Sequence, residues 1–151
     1  MEAARSCYAI ASGADPRSPL AKSNQGLTYL HSHPKKAMGY FRKALKIDPH
    51  FPDAYYAMGS LLYQLGKLEP AVASLRTSIS MQPSFVAAYN NLANVYTSMQ
   101  KLDLALNTYK RVRKLAPHSA EAHANSARIL VAMGRAAEGF RSFDVSTDFL
   151  I

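Results

Sequence analysis

Apolar and small residues return along this chain at a fixed interval. Ala37, Ala71 and Ala105 are 34 residues apart, with Gly139 at the next step. Four residues beyond each stands a large apolar side chain: Phe41, Leu75, Tyr109 and Phe143. Upstream, Gly26, Gly59, Ala93 and Ala127 each lie three residues before Tyr29, Leu62, Tyr96 and Leu130. Offsets of three and four place residues on one face of an α-helix. A repeated pair of such faces predicts two helices per unit. Prolines keep the same period at Pro49, Pro83 and Pro117, where each ends the second helix of a unit. Gly66 and Gly134 mark turns within units, and Pro34 and Pro70 fall in first turns, where a missing N–H costs little. The step from Gly26 to Gly59 is one residue short, which places a deletion around Ser32-His33.

Period and residue types together resemble the tetratricopeptide repeat (TPR). The second unit supplies Gly59, Leu62, Ala71, Leu75, Ser78 and Pro83 for the family pattern, and the third supplies Ala93, Tyr96, Ala105, Tyr109, Val112 and Pro117. The resemblance implies an all-α fold, a right-handed α-solenoid of stacked antiparallel helix pairs. Small residues let the two helices approach, large ones fill between them, and each open face is buried only by a neighbour. The expected organisation is repeats at 19–51, 52–85, 86–119 and 120–151. First (A) helices are expected near 19–31, 53–64, 86–98 and 120–132, and second (B) helices near 34–47, 69–81, 103–115 and 137–149. Residues 1–18 read either as a partial repeat, with Ala4, Tyr8, Ala11 and Pro16 in helix-B phase, or as a disordered Ala/Ser-rich tail. The last repeat lacks a capping helix and ends on Phe149-Leu150-Ile151. A segment of a longer array, a divergent isoform and ends that self-associate all fit that pattern.

The chemistry points away from catalysis. The glycines are dispersed and form no phosphate loop, and no Gly-x-Ser-x-Gly elbow occurs. The one cysteine, Cys7, excludes an internal disulfide framework and a cysteine-based zinc cluster. His31 and His33 make only two of the three or four ligands a metal site needs, and His123 reads as a packed core histidine. No cofactor and no small-molecule substrate are expected. Nor does any stretch approach the roughly 18–20 apolar residues of a membrane span.

Binding is the remaining role. In TPR arrays helix A lines the concave groove. Repeat position 6 on that helix reads Asn24, Ala57, Asn91 and Asn125. Asparagine is a mediocre helix former, so its recurrence asks for a reason. An amide both donates and accepts, and a ladder of amides can pair with an extended peptide's main chain. The TPR arrays of the O-linked N-acetylglucosamine transferase and of the peroxisomal targeting-signal receptor do this, and the present pattern is similar. The resemblance implies a peptide groove of Asn24, Tyr56, Ser60, Asn90, Asn91, Asn94, Asn125 and Arg128, Arg128 suiting a carboxylate. Against it stands the plain reading that these asparagines are solvated or bond to neighbouring helices. The family's chaperone-binding carboxylate clamp needs lysines that are absent here: position 5 reads Ser23, Tyr56, Asn90 and Ala124.

The expected role is a non-catalytic scaffold or adaptor for a protein or peptide partner, in the cytoplasm or the nucleus. A substrate-recognition segment of a larger enzyme such as a glycosyltransferase is the alternative. Net charge is +8 with 18 Lys and Arg, which raises nucleic acid as a third reading. Most of that charge falls on B helices, in runs such as Arg42-Lys43-x-x-Lys46 and Lys110-Arg111-x-Arg113-Lys114. A solvated outer face accounts for it, which argues against nucleic acid.

Overall fold

The computed structural model of the chain describes residues 15–134. Residues 1–14 of the expected partial repeat or tail and the expected helix at 137–149, with Cys7, Tyr8, Gly139, Phe143 and the final Phe149-Leu150-Ile151, lie outside the described residues. Among the described residues there are seven α-helices and no strand. They are α1 (Pro19–Thr28), α2 (Pro34–Ile47), α3 (Pro52–Gln64), α4 (Leu68–Met81), α5 (Val86–Ser98), α6 (Leu102–Leu115) and α7 (Ala120–Ala132). Among the described residues no helix is long and apolar enough to cross a membrane. The chain divides into two compact units, meeting at Pro83 and Ser84.

In the first unit α1 packs on α2, and α3 packs on both α2 and α4. At Gly26 and Gly59 helix A lies close against helix B. A Cβ on Gly26 would stand 2.5 Å from the Phe41 ring, and one on Gly59 2.6 Å from Leu75 Cγ. Neither position has room for a side chain. Ala37, Phe41, Ala44, Ala71 and Leu75 are fully buried. Burial of a side chain of the size of Phe41 contributes about 1.5–3 kcal/mol. Buried Ser78 donates its hydroxyl to the Pro52 carbonyl (2.9 Å), so the polar group is satisfied inside the unit.

The second unit repeats this logic with α6 between α5 and α7. Ala93, Ala105, Tyr109 and Val112 are buried, as are Ala127 and Leu130. His123 is buried too, with Nε2 3.0 Å from the Pro117 carbonyl oxygen, the packed histidine expected. A further buried series, Ala21, Ala54, Ala88 and Ala122, keeps the repeat spacing in the first turn of each A helix. Side chains one residue before the expected packing position are buried as well: Leu61, Val95 and Ile129. Leu62 is only half-buried where Leu61 is buried, so the helix face is rotated slightly from the expected one.

Both kinds of helix end have local causes. The residues before the repeat prolines, Asp48, Gln82 and Ala116, leave the helical region (φ −133°, −133° and −135°). Proline's ring disfavours helical geometry at the residue before it, so each B helix stops there. Between α3 and α4, Gly66 has φ +74°. Its N–H donates to the Tyr63 carbonyl and the Lys67 N–H to that of Leu62, a Schellman closure. Gln100 takes the same place between α5 and α6 at φ +59°, without glycine's freedom, and Gly134 follows at +74°.

The first hairpin departs from this plan. Helix α1 ends at Thr28, three residues before the expected Leu30-His31 end, and has ten residues where α3 and α5 have thirteen. The missing residue removes the left-handed turn position. Instead the His33 N–H donates to the Tyr29 carbonyl, and side chains close the corner. The Tyr29 ring stacks on Tyr40 (5.6 Å, 3°), meets His33 edge-on and carries Lys36 Nζ 4.2 Å from its centroid.

Candidate functional site

Helices α5, α6 and α7 of the second unit enclose a cleft of about 220 Å³. It is lined by Asn94 and Thr97 from α5, Leu102 and Tyr109 from α6, and Asn125, Arg128, Ile129 and Ala132 from α7. Asn94 and Thr97 are one turn apart, as are Asn125 and Arg128, so each pair shares a helix face. The helices are held at this spacing by Ala93, Ala105 and Ala127, whose small side chains are buried beside the cleft residues.

Two side-chain hydrogen bonds fix the polar wall. The Tyr109 hydroxyl donates to Asn94 Oδ1, with the ring of Tyr109 itself buried. Arg128 Nη2 donates to Asn125 Oδ1 at 3.0 Å. Thr97 donates its hydroxyl back to the Ala93 carbonyl (2.8 Å). Arg128 is exposed and is the only charged side chain in the lining.

Three of the eight expected groove residues therefore meet: Asn94, Asn125 and Arg128. Asn90 and Asn91 are half-buried on α5 and do not line this cleft. Asn90 Oδ1 is fully buried and has no hydrogen-bond partner among the described residues. In the first unit, Asn24 on α1 is half-buried, as are Tyr56 and Ser60 on α3. The Ser60 hydroxyl donates to the Tyr56 carbonyl at 2.9 Å. Tyr109, Thr97 and Ile129 join the cleft without having been expected there. For Tyr109 a sequence signal exists. The equivalent large residues are Phe41, Leu75 and Tyr109, and the hydroxyl appears in the repeat that carries Asn94 where the others carry Leu27 and Ser60.

Helix hairpins that close through small residues at a 34-residue period define an α-helical repeat protein. The chain belongs to the tetratricopeptide-repeat family. The family profile described as TPR repeat matches residues 35–66 and 59–100, and the one described as Tetratricopeptide repeat matches 86–119. Together these span more than half of the chain. No curated protein matches the sequence significantly. Solved structures share the fold. A crystal structure of MamA superposes with a TM-score of 0.84 at 23% identity, covering 96% of this chain and 85% of that one. YrrB, a TPR protein with an unusual peptide-binding site, gives 0.77 at 22%, covering 98% and 77%. The first TPR of Spaghetti (RPAP3), bound to the HSP90 peptide SRMEEVD, gives 0.74 at 24%, covering 80% and 97%.

Proposed function

We propose that the chain is a non-catalytic protein-interaction scaffold that holds a partner peptide or helix against its A-helix faces. The observation that carries this reading is the convergence of Asn94, Asn125 and Arg128 on one cleft, from groove-lining positions of two successive A helices. Membership of the TPR family supports it. So do the peptide held by the RPAP3 repeats and the peptide-binding site of YrrB, proteins of the same fold. The amide-rich wall offers directional polar contacts, and the apolar lining residues Leu102, Ile129 and Ala132 offer contact for a side chain.

Selection of random displayed peptides on the full chain tests the proposal. The wild type enriches a peptide consensus. Asn94→Ala combined with Asn125→Ala, with its helical circular dichroism intact, loses most of that enrichment. An identical consensus at equal strength on the double variant would overturn the groove reading.

A further inference from the structure

We propose that the outward face of α2 is a sequence-independent binding surface for the phosphate backbone of duplex nucleic acid. Lys35, Lys36, Arg42, Lys43 and Lys46 are all exposed on this helix, which carries no acidic residue. Among the described residues none of the five makes an ion pair. Elsewhere in residues 15–83 four cations and four acids balance, so the net charge of the first unit is that of α2. A solvated face accounts for charge that costs the fold nothing. This charge has a cost. Lys35 and Lys36 occupy the first turn, where the helix dipole repels cations. In α3, α4, α6 and α7 the same turn holds an acid: Asp53, Glu69, Asp103 and Glu121. Arg42 and Lys46, four residues apart, are like charges on one helix face, which is also unfavourable. The basic helix of the second unit differs. On α6, Asp103 stands in the first turn and Arg113 and Lys114 in the last, where the dipole favours each.

Two of the α2 cations are held in position by aromatic rings. Buried Tyr29 stacks on half-buried Tyr40 (5.6 Å, 3°). Lys36 Nζ lies 4.2 Å from the Tyr29 centroid and Lys43 Nζ 5.2 Å from that of Tyr40, both within reach of cation–π attraction. Lys36, Tyr40 and Lys43 follow at steps of four and three and form one stripe of the helix; Lys35, Arg42 and Lys46 form a second beside it. A double row of cations suits a linear polyanion. From Lys35 to Lys46 the helix rises about 16 Å. Duplex DNA presents about one charge per 1.7 Å of its axis, or about ten over that length. An extended acidic peptide offers at most one per roughly 3.3 Å, and alternate side chains point away. An anionic membrane rewards apolar side chains that insert, and among the described residues Ile47 is the one exposed large hydrophobic of α2. Phosphates neutralised by the lysines release their counterions, a gain that needs no contact with a base.

Fluorescence anisotropy of a short random-sequence duplex with the full chain, repeated across salt concentrations, tests the proposal. Log affinity falls against log salt with a slope of about −3 to −4.5, the release expected for three to five phosphates. Lys36→Gln combined with Lys43→Gln, with helical circular dichroism intact, makes the slope shallower by about 2. Lys110→Gln combined with Lys114→Gln, the same loss of charge at exposed positions of α6, leaves it unchanged. Lys35→Glu supplies a second readout. It gives α2 the first-turn acid that α3, α4, α6 and α7 hold, so binding falls while the thermal midpoint does not. A midpoint that falls with the binding would overturn the proposal, because the cations would then serve the fold. So would absence of binding at low salt, or equal losses in the two double variants. Tighter binding to polyglutamate or to phosphatidylserine vesicles than to the duplex would also overturn it, and would assign the face to an acidic protein or a membrane. Asn94→Ala combined with Asn125→Ala leaves duplex binding intact, so this surface and the peptide groove fail separately.

Discussion

The two units use the same packing to present different surfaces. On α1 of the first unit, Leu20 and Leu27 are exposed (46% and 41%), with half-buried Asn24 about one turn from each. On α3 the Ser60 hydroxyl is turned to its own helix. In the second unit the position of Leu27 and Ser60 is taken by Asn94 and then Arg128, and both face a cleft. Yet Phe41 and Tyr109 sit at matching places and are equally buried. The residues that hold a hairpin together lie on one stripe of each helix, and the polar cleft residues Asn94 and Arg128 lie beside it, next to Ala93 and Ala127. Tyr109 belongs to both sets, whereas Asn94, Asn125 and Arg128 can vary while the packing is kept, and family membership therefore leaves the ligand open.

Substitutions can break or sharpen that contrast. The largest effect is expected at Phe41→Ala, which should lower the unfolding free energy by about 3–5 kcal/mol in urea titration, because the first hairpin closes on that ring. A cost under about 1 kcal/mol would show that Tyr29, Tyr40 and Lys36 hold the corner instead. Gly26→Ala should cost about 1–3 kcal/mol by driving a methyl into Phe41. The second unit tolerates a methyl at its equivalent, Ala93, so Ala93→Gly should cost only about 1 kcal/mol of helix propensity. Tyr109→Phe keeps the packed ring and should cost about 1 kcal/mol. It should also move the Asn94 side-chain amide resonance, and an unmoved resonance would show that the hydroxyl does not position that amide. Gln100→Gly should raise stability by about 0.5–1 kcal/mol, since glycine adopts positive φ without strain. Smallest of all, Arg128→Gln should leave thermal stability within about 0.5 kcal/mol while removing the cleft's charge. A larger loss would make Arg128 part of the scaffold.

Much of the scaffold was legible in the sequence because its signals are local and repeated. Ala37, Ala71 and Ala105 with Phe41, Leu75 and Tyr109 set the phase of the B helices, and prolines set their ends. The early stop of α1 at Thr28 was not legible. A one-residue deletion says that a turn must change, and the contacts of Tyr29 with Tyr40, His33 and Lys36 decide how. The site was half legible. Asn94, Asn125 and Arg128 were among the residues that the family resemblance implied for the groove. Their meeting with Tyr109 depends on how α5, α6 and α7 pack, and the burial of Asn90 Oδ1 depends on packing too.

The sequence by itself determined which residues form helices, where the B helices stop and which small residues let neighbours approach. These follow from backbone sterics and from a period of 3.6 that every repeat shares. Tertiary structure alone decided the polarity of the cleft. An asparagine in a sequence is both donor and acceptor, and only the placement of the Tyr109 hydroxyl on Asn94 Oδ1 and of the Arg128 guanidinium on Asn125 Oδ1 fixes how each amide is turned.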